Sequence, residues 1–152
     1  MSARTLIFTG EGKGKTTAAF GMVLRAAGHN QRVLVVQFLK SNAATGELVA
    51  CAHLPQVEAV QMGCGFVPAP EHPAFAAHQQ KAREALEFAR QAVISSKHDL
   101  IVLDEPYTGL DVEGKPAVQE YVRERVKGRT TLLITHDSDE AAWLGAREVR
   151  MP

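Results

Sequence analysis

Three features of the sequence predict an α/β fold, a mainly parallel sheet flanked by helices. Apolar runs bounded by turn residues recur along the chain, and stretches of helical periodicity separate them. Three of those runs are almost wholly apolar, as strands covered on both faces must be. At 152 residues the chain has the size of a single domain, residues 1–152, and folding would bury about 68–70% of the surface of the unfolded chain.

Taken in order, the first strand is expected at Thr5 to Thr9 (TLIFT), followed by a glycine-rich turn and a helix from Lys15 to Ala27. The second and third strands are expected at Val33 to Leu39 (VLVVQFL) and Val57 to Met62. Residues 63–73, GCGFVPAPEHP, hold three of the seven prolines. They read as a loop, mobile without ligand, because too little chain lies on either side to make this a linker between domains. The helix from Glu71 to Ser95 is the clearest, with Ala82, Ala85, Leu86, Ala89, Ala92 and Val93 on one side and Lys81, Arg83, Glu84, Glu87, Arg90 and Gln91 largely elsewhere. Strands at Leu100 to Asp104 (LIVLD) and Thr131 to Thr135 (TLLIT), and helices at Lys115 to Val126 and Ser138 to Leu144, complete the pattern.

Composition narrows the classes. Hydrophobic residues at 45% and charged residues at 22% exclude a disordered, collagen-like or coiled-coil chain. Seventeen Lys and Arg balance seventeen Asp and Glu, so bulk charge argues for neither nucleic acid nor an anionic membrane. Cys51 and Cys64 have neither disulfide-scaffold density nor zinc-site spacing, and free thiols in a reducing compartment are expected. No apolar run approaches the roughly 18 residues of a membrane span, and MSAR leads straight into LIFTG without a signal peptide, so the expected location is cytoplasmic.

The segment TGEGKGKTT, Thr9 to Thr17, follows a strand and opens a helix, which is the context of a phosphate-binding P-loop. A polyphosphate needs several backbone N–H groups at close range, and Gly10, Gly12 and Gly14 permit the angles and the approach. Lys15 supplies a positive charge, and the Thr16 hydroxyl can ligate Mg²⁺. Nucleotide contacts are therefore expected across Gly10, Glu11, Gly12, Lys13, Gly14, Lys15, Thr16 and Thr17. The pattern GxxxxGK[ST] asks for glycine where Thr9 stands, and a glycine-rich turn that binds nothing is the bland alternative. LIVLDE supplies the carboxylates such a loop needs: Asp104 on or near the metal, and Glu105 on the metal or activating a group near the phosphates. A solvated or helix-capping pair just past a strand is the alternative. His136, after TLLIT, either polarises a phosphate or, with Asp137 and Ser138, ends the strand and caps the next helix. The other histidines lack metal-ligand spacing, and Trp143, Tyr107 and Tyr121 read as packing residues.

TGEGKGKTTAAFG, LRAAGH from Leu24 to His29, VVQFLK from Val35 to Lys40, TGE from Thr45 to Glu47, MGCGF from Met62 to Phe66 and LDE from Leu103 to Glu105 together resemble the ATP:corrinoid adenosyltransferase family, the P-loop type of cob(I)alamin adenosyltransferases. Its P-loop also tends to lack the first glycine. The resemblance implies a RecA-like P-loop NTPase fold, usually a homodimer, that uses Mg²⁺ to move the 5′-deoxyadenosyl group of ATP to the cobalt of a reduced corrinoid and releases triphosphate. It implies catalytic roles for Lys15, Glu105 and Phe66, and a reductase as partner. Phe66 matches the first of an aromatic pair that helps strip the lower cobalt ligand, and Val67 and Pro68 stand where the family usually has threonine and tryptophan. After Glu105 the chain departs: DEPYTGLD, TLLITHD and DEAAWLGAREVRM look like ABC-type ATPases, whose LSGGQ-like element has no counterpart in ISSKHD. The alternative function is thus a P-loop ATPase that hydrolyses ATP to drive a partner protein. A third is a nucleotide-binding regulatory module without turnover.

Overall fold

The computed structural model describes residues 5–42, 44–108, 130–137 and 139–152, with isolated positions 116, 119, 120 and 123. Six strands form one sheet: β1 (Thr5–Thr9), β2 (Val33–Gln37), β3 (Val57–Gln61), β4 (Leu100–Asp104), β5 (Thr130–Ile134) and β6 (Arg147–Arg150). Their order is β3-β2-β4-β5-β1-β6, and every pairing is parallel. Four helices are described: α1 (Lys15–Gly28), α2 (Gly46–Cys51), α3 (Phe75–Ser95) and α4 (Asp139–Leu144).

Alternation along the buried strands divides the core in two. Leu34, Val36, Ile101, Leu103 and Leu133 pack with Ala85 and Ala89 of α3. Val33, Val35, Leu100, Val102, Leu132 and Ile134 pack with Ala19, Val23 and Ala26 of α1 and with Cys51 at the end of α2. On α1 the buried residues Lys15, Ala19, Val23, Ala26 and Ala27 recur at helical spacing. The expected alanine stripe of α3 is likewise the one that meets the sheet. Tyr107 is buried in the α3-side core, whereas Trp143 stays partly exposed with the Arg123 guanidinium 5.7 Å from its ring centroid.

The boundaries differ from expectation for local reasons. β2 stops at Gln37 rather than Leu39 because its neighbour β4 ends in register at Asp104, although the Phe38 N–H still donates to the Asp104 carbonyl. β3 stops with β2, at Gln61. α3 begins at Phe75 rather than Glu71, since Pro73 biases His72 away from helical angles. α2 and the edge strand β6 carry no strong sequence signal: one is six residues long, and the other, REVR, is mostly charged and exposed. The expected helix from Lys115 to Val126, Tyr121 within it, and Ser138 fall mostly or wholly outside the described residues. Among those described, no helix is long and apolar enough to cross a membrane.

Candidate functional site

The C-terminal ends of β1, β2, β4 and β5 lie side by side, the place where an open parallel sheet presents a crevice. β5 separates β1 from β4, so the loop after β5 reaches the same crevice as the loops after the other two. There a cavity of about 450 Å³ is lined by Glu11 to Thr16, by Leu39 and Lys40, by Gly65 and Phe66, and by Asp104, Glu105 and His136.

The glycine-rich turn leads into α1 through Gly14 at φ 103°. Lys15, the first residue of α1, is only 6% exposed. Its Nζ donates to the carbonyls of Gly10 at 2.5 Å and Gly12 at 3.0 Å, which holds the turn curled around the ammonium. Gly10 is held from outside as well, where a Cβ would overlap the Met151 carbonyl beside β6. Close backbone approach thus requires glycine there before any phosphate is considered. Gly12, Lys13 and Gly14 border the cavity with Glu11, whereas Thr17 points away and is exposed.

Asp104, 3% exposed, receives donors from three directions. The Thr16 hydroxyl lies 3.3 and 3.4 Å from its two carboxylate oxygens, the Gln37 amide donates to Oδ2 at 2.9 Å, and Lys40 Nζ sits 3.3 Å from Oδ2. A hydroxyl and a carboxylate this close are hard oxygen donors. They suit Mg²⁺, which binds through one or two carboxylates plus phosphate and water.

Glu105 adopts a left-handed backbone (φ 59°), a conformation that costs about 1–2 kcal/mol for a residue with a Cβ. Its N–H donates to the Ile134 carbonyl at 2.9 Å, and its carboxylate accepts from Thr108 and meets His136 Nε2 at 3.0 Å. Burial pushes its carboxyl above the ordinary value, and His136 partly offsets this. In the segment after β5, His136 lines the cavity, and the Asp137 carboxylate accepts the Asp139 N–H at the start of α4.

Phe66 is fully exposed (100%) and is therefore no core residue. The first part of its loop is tied down: Met62 N–H donates to the Gln37 carbonyl and Gly65 N–H to the Leu39 carbonyl. A Cβ on Gly63 would overlap the Leu39 carbonyl, so glycine is what allows the two loops to touch. Sequence reasoning missed Gln37, Lys40 and Gln61. Only Gln37 carried a signal, since a glutamine within an otherwise apolar strand needs a partner once buried.

Residues 2–135 match the family model described as ATP:corrinoid adenosyltransferase BtuR/CobO/CobP. A corrinoid adenosyltransferase of Pseudomonas aeruginosa is 36% identical over 133 residues, 77% of this chain and 63% of that protein. One of Escherichia coli is 37% identical over 103 residues, 66% of this chain and 50% of that protein. The chain thus spans between half and two thirds of the length of these relatives. An uncharacterized ABC transporter ATP-binding protein of Haemophilus influenzae is 40% identical over 68 residues, 45% of this chain and 27% of that protein. Because the family match runs from before β1 to just past the end of β5 and takes in every described cavity-lining residue except His136, the chain belongs to the ATP:corrinoid adenosyltransferase BtuR/CobO/CobP family.

Proposed function

We propose that the chain, acting as one nucleotide-binding domain, binds ATP in this cavity and transfers its 5′-deoxyadenosyl group to the cobalt of a reduced corrinoid. The observation that carries the proposal is a fully exposed phenylalanine ring, Phe66, lining the same cavity as a phosphate loop. Leaving a phenylalanine in water forgoes about 1.5–3 kcal/mol of burial, which an apolar macrocycle face would recover.

In such a transfer the cobalt electron pair attacks the ribose 5′ carbon, the bond from that carbon to the phosphate oxygen breaks, and triphosphate leaves with the electron pair. The protein need not supply a nucleophile. Its work is to hold the ribose in line and to stabilise the leaving group. The backbone N–H groups from Gly10 to Thr16 and the Lys15 ammonium are suited to cradling the phosphates, with Lys40, paired with Asp104, bordering them from the other loop. Magnesium, held by Thr16 and Asp104, would offset charge on the departing triphosphate. Glu105 stands just beyond, where it can orient a water or ligand near the phosphates. A homodimer, a reductase partner and a cytoplasmic location belong to the same proposal, on the strength of the family.

The contact of Glu105 with His136 favours a second reading, ATP hydrolysis coupled to a partner protein, since a carboxylate and an imidazole beside the phosphates can position water. The two reactions break different bonds. Purified protein incubated with ATP, magnesium and a chemically reduced corrinoid should yield triphosphate and an adenosylated corrinoid on chromatography, with little ADP when the corrinoid is omitted. Steady ADP release indifferent to the corrinoid would establish the second reading.

A further inference from the structure

Gln61, Gln37 and Asp104 occupy matching register positions on three adjacent strands, β3, β2 and β4. Their side chains join in one line. The Gln61 amide Nε2 donates to Gln37 Oε1 at 2.9 Å, and Gln37 Nε2 donates to Asp104 Oδ2 at 2.9 Å. Gln37 is fully buried (0% exposed), so water cannot replace either bond. A carboxamide has one accepting and one donating end. An ionised carboxylate only accepts, so Asp104 takes the donating end of Gln37, and Gln61 completes the row by donating to the Oε1 left facing it.

We infer that Gln37 is a positioning residue for the Asp104 carboxylate, and that Gln61, on the sheet's edge strand, permits this orientation by making no claim on the Gln37 donor. Oδ2 is occupied by the Gln37 amide and by Lys40, at 2.9 and 3.3 Å. Oδ1 carries only the Thr16 hydroxyl among the contacts described. The relay thus turns Oδ1, together with Thr16, toward the side from which a divalent cation arrives. Partners that orient a metal-binding carboxylate commonly alter metal affinity about ten- to a hundredfold when removed. The inference rests on Asp104 being a metal ligand, as proposed above.

Substitutions at Gln61 separate orientation from mere packing, because Gln61 does not touch Asp104. In Gln61→Glu the new carboxylate can only accept, so the Gln37 amide must rotate to donate to it and would present its oxygen to Asp104. In Gln61→Met no such demand arises, and Gln37 keeps its donor on the carboxylate. The measurements are calorimetric ATP affinity with Mg²⁺ and in EDTA, and Mn²⁺ binding without nucleotide by electron paramagnetic resonance. Gln37→Met and Gln61→Glu should lose about tenfold or more in Mn²⁺ affinity and in the Mg²⁺-dependent part of ATP affinity. Gln61→Met should change little, and unaltered affinity in EDTA shows that each variant is folded. Equal effects of the two Gln61 substitutions, or none from Gln61→Glu, would overturn the relay. Asp104→Asn is the control for the underlying assignment: if its Mn²⁺ affinity is unchanged, Asp104 is no ligand, whereas a loss there with none in Gln37→Met rejects the relay alone.

Discussion

In the proposed site Lys15 would serve both loop and ligand. With its ammonium buried on the carbonyls of Gly10 and Gly12, Lys15→Ala removes the charge proposed to meet the phosphates and also the group around which the turn is wound. Loss of one charge-assisted contact costs about 1.5–3 kcal/mol. ATP affinity measured by calorimetry should therefore fall about ten- to a hundredfold, and an unchanged affinity would refute the phosphate-loop assignment. Glu105 yields a second prediction, from its raised carboxyl. A raised folded value means that the protonated form binds its proton more tightly when folded. That contribution to stability is complete below the ordinary carboxylate range and disappears as pH rises through the folded value. Glu105→Gln cannot ionise, so it should gain stability relative to the parent protein over that same rise. Thermal melts at a series of pH values would show the two curves diverging upward in pH, and parallel curves would mean that burial does not control this carboxyl.

At the scale of elements, the loop after β3 is pinned at Gly63 and Gly65 and presents Phe66. Two substitutions should therefore behave differently. Phe66→Ala truncates a fully exposed ring, so denaturation midpoints should stay put and ATP affinity should hold, while adenosylation slows. Gly63→Ala forces a methyl group against the Leu39 carbonyl, and overpacking of this sort costs about 1–3 kcal/mol. It should lower the midpoint and, by moving both Leu39 and Phe66, disturb the cavity. A stability loss in Phe66→Ala would show that the ring is packed after all.

On the largest scale the described residues form one sheet with helices on both faces, and Leu133 of β5 is fully buried near its centre. Leu133→Ala should cost about 2–5 kcal/mol, read as a shift of the denaturant midpoint with the slope retained if the two core faces unfold together. A change in slope would mean that they unfold separately. By itself the sequence determined the α/β class, five of the six described strands, the stripe of α3 and the glycine-rich turn into a helix with a carboxylate at the end of β4. These are local signals, carried by apolar runs, helical period and glycine spacing within a few residues. The tertiary structure alone decided that β5 lies between β1 and β4, which brings His136 against Glu105, and that β6 closes over Gly10. It alone placed Gln61, Gln37 and Asp104 in one row, because strand order and register depend on pairing between segments up to about 140 residues apart, as between β1 and β6, and no local pattern records a partner that distant.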